Sequence, residues 1–240
     1  MKKGKFKLDI LIKNTLLFIL VSLIIPSVQS QEIIPGSERL NNYINKLVNK
    51  KIAVIANNTS IVRNGELSVH LIDTLLKRNI EIEKIFSPEH GFLGDKDDGE
   101  KIEDGFYKSI EVISLYGKKR KISDDDIEGI DIIIFDIQDV GVRFYTYLST
   151  LHYAMEAASR SNKKIIILDR PNPNSFYIDG PVLEKENSSF IGLHPVPIVY
   201  GMTIGEYGKM INEEGWLGEK MKADLEVIKI ENYTHNMRYD

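Results

Sequence analysis

Ile132-Ile133-Ile134-Phe135-Asp136-Ile137-Gln138-Asp139-Val140-Gly141-Val142-Arg143-Phe144-Tyr145 is a run of β-branched and aromatic residues that turns polar at Asp136. A short apolar run bounded by turn residues reads as a fully buried strand. Two others share its form. Ile82–Ile85 leads into Phe86-Ser87-Pro88-Glu89-His90-Gly91, and Ile165–Leu168 into Asp169-Arg170-Pro171-Asn172-Pro173. In open α/β sheets, ligands bind outside the carboxyl ends of the strands. Three strand ends bearing carboxylates therefore read as parts of one site.

Working outward, Lys51–Ala56 is a strand that ends in Asn57-Asn58-Thr59-Ser60, Glu111–Gly117 is strand-like, and Leu225–Ile230 is a last strand. Helical spacing of apolar residues predicts helices over Glu38–Lys50, Ser68–Arg78 and Thr146–Ser161. Ser123 is expected to cap a short acidic helix. Thr203 and Glu206 stand at capping-box spacing before a helix that runs to Glu214. Strands alternating with helices predict an α/β fold with a mostly parallel sheet and helices on both faces.

Lys2, Lys3, Lys5 and Lys7 precede an apolar stretch at Leu16–Ile25, and small residues follow at Val28 and Ser30. That pattern is a secretory signal peptide over residues 1–30, too short to span a bilayer, which takes about 20 apolar residues. Residues 31–49 then form a linker and N-terminal helix, and 50–240 the globular domain. An exported protein, periplasmic or extracellular, with no stable membrane span after cleavage is the expectation. The chain has no Cys, so neither disulfides nor thiol chemistry contribute. A net charge of -4 carries no basic footprint for nucleic acid.

Glu89 is the first catalytic candidate. Pro88 keeps Ser87 extended, Gly91 permits a sharp turn, and a carboxyl shielded by Phe86 and Phe92 suits a general acid. A Glu that only hydrogen-bonds its loop is the plainer alternative. His90 could orient Glu89 or touch substrate. Asp136 and Asp139 are candidates for the second carboxylate of glycoside hydrolysis, although Asp139 could instead cap the helix that follows. Gln138 lies between them. Arg143 is placed to clamp a carboxylate, or else to pair with Asp136 or Asp139. Tyr145 and Tyr147 could stack on a sugar ring. Asp169 and Arg170 could simply pair with neighbours, Asn172 between two prolines is a fixed donor, and His194 is a weaker candidate. The sequence has no dinucleotide fingerprint, P-loop, His-Glu-x-x-His motif or Gly-x-Ser-x-Gly elbow. No cofactor is expected. A metal-dependent hydrolase built on His90, Asp136 and Asp139 is a further alternative.

The segments Phe86–Gly91, Ser114–Gly117, Phe135–Tyr147, Leu168–Pro173, Gly180–Leu183, Ser189–Gly192 and Gly201–Glu206 together resemble the exo-β-N-acetylmuramidase family of peptidoglycan hydrolases. The resemblance runs from about residue 50 to 230. It implies a Rossmann-like catalytic domain joined to a smaller C-terminal domain, with the site in the cleft between them. It further implies release of terminal N-acetylmuramic acid from the non-reducing end of cell-wall fragments, so the expected partner is a peptidoglycan-derived saccharide. The family's proposed catalytic glutamate corresponds to Glu89. Asn57 joins the expected substrate-binding set of His90, Gln138, Arg143, Tyr145, Arg170 and Asn172, with Arg143 on the lactyl carboxylate. Family members continue well past Asp240, so most of the second domain is expected to be missing. A truncated, non-catalytic binder of cell-wall sugars is the runner-up.

Overall fold

A computed structural model of the chain describes residues 31–65, 67–94, 104–218 and 220–239. The expected signal peptide, the middle of the Gly91–Gly105 loop and the chain end at Asp240 lie outside the described residues. The chain divides into two units, Met1–Glu32 and Ile33–Asp240. Every element named below belongs to the second.

The strands are β1 Lys51–Ala56, β2 Ile61–Asn64, β3 Leu67–His70, β4 Glu81–Ser87, β5 Gly105–Tyr107, β6 Ile110–Ser114, β7 Ile132–Asp136, β8 Lys164–Leu168 and β9 Asp224–Ile228. The helices are α1 Ile44–Leu47, α2 Leu71–Leu76, α3 Tyr147–Arg160 and α4 Ile204–Glu213. Seven strands form one sheet in the order β5-β6-β4-β1-β7-β8-β9, parallel except for β5, while β2 and β3 form a separate hairpin. From β1 the chain winds outward through β4 to β6, then returns to the other side of β1 for β7, β8 and β9. This is the doubly wound Rossmann order, and its switch point falls between β1 and β7.

Alternation along the strands splits the core between the two faces of the sheet. Ala53, Ile55, Ile133, Phe135, Ile165 and Ile167 pack with Leu148, Leu151 and Met155 of α3 and Tyr207 and Ile211 of α4. Ile52, Val54, Ile132, Ile134, Ile166 and Leu168 pack with Leu71, Ile72 and Leu75 of α2 and Leu47 of α1. β4 breaks the alternation. Its register against β1 moves from Ile52↔Ile82 to Ala53↔Lys84, so β4 carries one extra residue. A one-residue slip turns every later side chain to the opposite face. Ile85 thus joins the α2 side and Phe86 the α3 side, and the extra residue helps set the direction in which the Pro88–Gly91 turn leaves the sheet.

Several expected elements differ. Glu38–Lys50 is not one helix but two 3-10 turns, Gly36–Glu38 and Leu40–Asn42, followed by α1. Tyr43 and Leu47 still reach the core, while Asn41 and Asn42 are weak helix formers and Asn49 turns left-handed with φ 59°. Ser68–His70, expected in a helix, pairs with β2 across a turn at Gly65. The His70 ring, rather than a Ser, Thr, Asp or Asn, caps α2 by accepting from Ile72 N at 3.2 Å. Ser123 does not cap through its hydroxyl: its N and Oγ both donate to Asp126 Oδ2 at 2.7 Å, and only a 3-10 turn follows. The capping box of Thr203 and Glu206 forms as expected. No helix among the described residues is long and apolar enough to cross a membrane.

Candidate active site

The switch point opens between the end of β1, at Asn57, and the end of β7, at Gln138 and Asp139. Glu89 arrives from β4, the neighbour of β1. Its turn is tight: Gly91 N donates to Pro88 O at 3.1 Å, and both His90 (φ 70°) and Gly91 (φ 76°) are left-handed. A non-glycine residue held there stores backbone strain, a feature that clusters at functional sites. Thr146, which opens α3, makes no cap hydrogen bond. Its hydroxyl instead donates to Glu89 Oε2 at 2.7 Å. The positive end of a fourteen-residue helix thus faces the carboxylate. Four carboxylates sit at or just past the ends of β4, β7 and β8: Glu89, Asp136, Asp139 and Asp169. Glu89 is half-buried and the other three are buried.

Asp136 is fully enclosed and paired bidentately with Arg170, with Nε to Oδ1 at 2.6 Å and Nη2 to Oδ2 at 2.9 Å. Arg170 Nη2 also donates to Ser37 Oγ and Ile61 O, both at 3.3 Å. The pair therefore clamps β7, β2 and the N-terminal turn to the β8 loop, and neither group is presented to a ligand. Asp169 accepts from Gly205 N (2.8 Å), Arg170 N (3.1 Å) and the Thr203 hydroxyl (2.9 Å), which ties α4 to β8. Burial pushes its carboxyl up to about 6 against those donors. Asp139 accepts at Oδ2 from Gly141 N (2.8 Å) and from the Tyr200 hydroxyl. Its Oδ1 is buried without a partner among the described residues, and burial raises this carboxyl to about 6.

Asn57 is buried and donates through Nδ2 to the Tyr147 hydroxyl at 3.4 Å. Burial, with the charges of Asp139 and Glu89 adding to it, pushes that phenol up to about 12. Asn57, Glu89, Asp139, Thr146 and Tyr147 are thus one constellation. Tyr145 is exposed beside Tyr147, with ring centroids 6.3 Å apart. Gln138 braces the loop, since Nε2 donates to Asp139 O (2.8 Å) and Pro171 O (2.6 Å). Asn172 does the same, donating to Met202 O at 2.7 Å and accepting from Asn174 N at 2.7 Å. Arg143 forms neither expected ion pair, and its Nη1 is committed to the carbonyls of Pro181 and Val196. His90, Asp136 and Asp139 form no three-ligand cluster, and no such group exists among the described residues. His194 lies away in the core, between the Tyr207 hydroxyl (3.1 Å) and His152 Nδ1 (3.0 Å) and stacked on Trp216. Sequence reasoning missed Thr146 and Tyr200 as the partners of Glu89 and Asp139. Thr146 had a visible signal, a hydroxyl at a helix start next to a strand-end motif, whereas Tyr200 had none.

Sequence and structure comparisons agree with this architecture. The chain is 39% identical over 206 residues to the peptidoglycan beta-N-acetylmuramidase NamZ of Bacillus subtilis (strain 168), covering 84% of this chain and 48% of that protein. It also superposes on crystal structures of two DUF1343 family proteins from Bacteroides fragilis NCTC 9343, each with a TM-score of 0.75. Those are 42% and 36% identical, covering 87% and 86% of this chain and 55% and 52% of theirs. The chain spans about half the length of these relatives. Residues 52–240 match the family model described as exo-beta-N-acetylmuramidase NamZ, N-terminal, and the chain belongs to that family.

Proposed function

We propose that this chain carries the catalytic residues of an exo-acting β-N-acetylmuramidase, which releases terminal N-acetylmuramic acid from the non-reducing end of peptidoglycan fragments during cell-wall turnover. Residues 50–240 form its catalytic domain and the start of a C-terminal region. The basic and then apolar residues of the N-terminus support export. The observation that carries the reading is Glu89, the one unburied carboxylate of the four at the ends of β4, β7 and β8, held by Thr146 beside the switch-point crevice. Glu89 protonates the glycosidic oxygen as the bond breaks. Asp139 supplies the second carboxylate, beneath the same crevice, as a fixed charge that steadies the oxocarbenium-like transition state. Asp136 is not free for that role, because Arg170 neutralises it.

Turnover of a chromogenic N-acetylmuramide by wild type and Glu89→Gln tests this. A general acid contributes about 10²- to 10⁴-fold, so the variant should lose activity on that order while keeping its fold. A folded Glu89→Gln within about threefold of wild type would contradict that scale of effect and remove Glu89 from the mechanism. Binding of muramyl sugars without turnover by the wild type would support a non-catalytic cell-wall sugar binder instead.

A further inference from the structure

Four consecutive cations, Lys118-Lys119-Arg120-Lys121, follow β6 in a chain of net charge -4. Their segment leaves the sheet beside the Glu89 turn, because Leu115 N donates to Ser87 O at 2.8 Å. It then runs along α3: Lys121 pairs with Glu156 at 3.1 Å, and Arg160 Nη2 donates to Ile122 O at 3.1 Å. Thr146, at the other end of α3, holds Glu89. At a rise of 1.5 Å per residue, Thr146 to Tyr153 spans about 10 Å. Glu89 at Thr146 and Lys121 at Tyr153 and Glu156 therefore lie along one side of a single helix.

These cations are not equivalent. Lys119 is neutralised by Asp126 at 2.6 Å and Lys121 by Glu156. Lys118 and Arg120 have no carboxylate partner among the described residues. The Arg120 guanidinium lies 4.7 Å from the Phe190 ring centroid, and Phe190 stacks on Tyr153 at 6.1 Å and 9°. Lys121 Nζ lies over the far ring, 4.4 Å from the Tyr153 centroid. Ser149 Oγ donates to Phe190 O at 2.6 Å, which fixes this stack within a turn of Thr146. A guanidinium placed over an aromatic face is held by cation–π attraction, and where it has no carboxylate partner its N–H groups are available to bind a carboxylate bidentately.

We propose that Arg120, assisted by Lys118, recognises a carboxylate carried on the O3 substituent of a muramyl residue, whether the bare lactyl group or a stem peptide attached to it. The proposal rests on the muramidase reading and moves carboxylate recognition from Arg143, whose Nη1 is held by two backbone carbonyls, to the arginine over Phe190.

Isothermal titration of the full chain separates the two. The probes are N-acetylmuramic acid, N-acetylmuramyl-L-alanyl-D-isoglutamine and N-acetylglucosamine, against wild type, Arg120→Gln and Arg120→Lys, with folding checked by circular dichroism. A charge-assisted hydrogen bond is worth about ten- to a hundredfold in affinity. Wild type should prefer a carboxylated ligand over N-acetylglucosamine by that factor, Arg120→Gln should flatten the preference to about threefold or less, and Arg120→Lys should keep part of it. A greater loss for N-acetylmuramic acid identifies the lactyl carboxylate, and a greater loss for the muramyl dipeptide identifies the stem. Sugar binding without carboxylate preference, or a preference that survives Arg120→Gln, overturns the proposal and leaves the muramidase reading standing. Failure of wild type to bind any of the three overturns both.

Discussion

Replacing Arg170 with Met strips the guanidinium from a carboxylate that has no access to water. Asp136 is fully enclosed, and both of its oxygens are satisfied by Arg170, at 2.6 and 2.9 Å. Removing one partner of a buried pair costs about 3–5 kcal/mol, because the remaining charge is left uncompensated. Loss of the bonds to Ser37 Oγ and Ile61 O adds about 1 kcal/mol each at most. In a domain of this size each kcal/mol lowers Tm by roughly 2–4 °C, so the paired-charge loss alone predicts roughly 6–20 °C. Thermal unfolding followed by circular dichroism reads this directly. The double variant Asp136→Leu/Arg170→Met removes both charges together and should regain more than half of the loss, since apolar replacement of a buried pair is often nearly neutral. A single variant within about 2 °C of wild type falls short of the scale for breaking a buried pair and refutes the clamp. So does a double variant no more stable than the single. In either case Asp136 returns to the list of carboxylates available for chemistry.

Two further perturbations isolate other parts of the design. Gly141 has φ 79°, and a Cβ there would overlap the Asn172 side chain, whereas Gly129, at φ 73°, has nothing within 4 Å. Gly129→Ala should cost only left-handed strain, about 1–2 kcal/mol, and Gly141→Ala clearly more in urea unfolding; equal costs would show that the Asn172 contact yields freely. Burial holds the His194 imidazole down to about 3 from an ordinary value of 6.5. Between those values the unfolded chain binds a proton that the folded chain does not, so His194 stabilises the fold above pH 6.5, and that contribution is lost as pH falls toward 3. The stability difference between wild type and His194→Gln should shrink with a slope of up to about 1.4 kcal/mol per pH unit across that window. A difference independent of pH would mean that His194 titrates normally.

Much of this was legible in residue order alone. Uninterrupted apolar runs such as Ile132–Phe135 and Ile165–Leu168 can be satisfied only by burial on both faces, which forces a parallel sheet flanked by helices. Thr203 and Glu206 announce their helix because capping is a contact between residues three apart. The sequence also located the carboxylates at the strand ends, because strand alternation and turn residues are local properties. It misplaced Ser68–His70, where a four-residue strand of mixed polarity gains its identity only from pairing with β2.

The roles of the carboxylates were decided elsewhere. Asp136 and Asp139 stand three apart in one motif and look alike as sequence. Arg170, 34 residues later, neutralises the first, while Tyr200, 61 residues later, binds the second and leaves its other oxygen unpartnered. Arg143 stands in the same motif and reads as a substrate clamp, yet its Nη1 is held by carbonyls 38 and 53 residues away. Arg120, which drew no sequence reading, lies over the Phe190 ring with no carboxylate partner among the described residues. Sequence by itself determines which chemistry is present and on which strand end, because those depend on neighbours along the chain. Only the tertiary structure decides which charges are consumed and which remain for a ligand, because ionisation and pairing depend on distances across the sheet that no local pattern encodes.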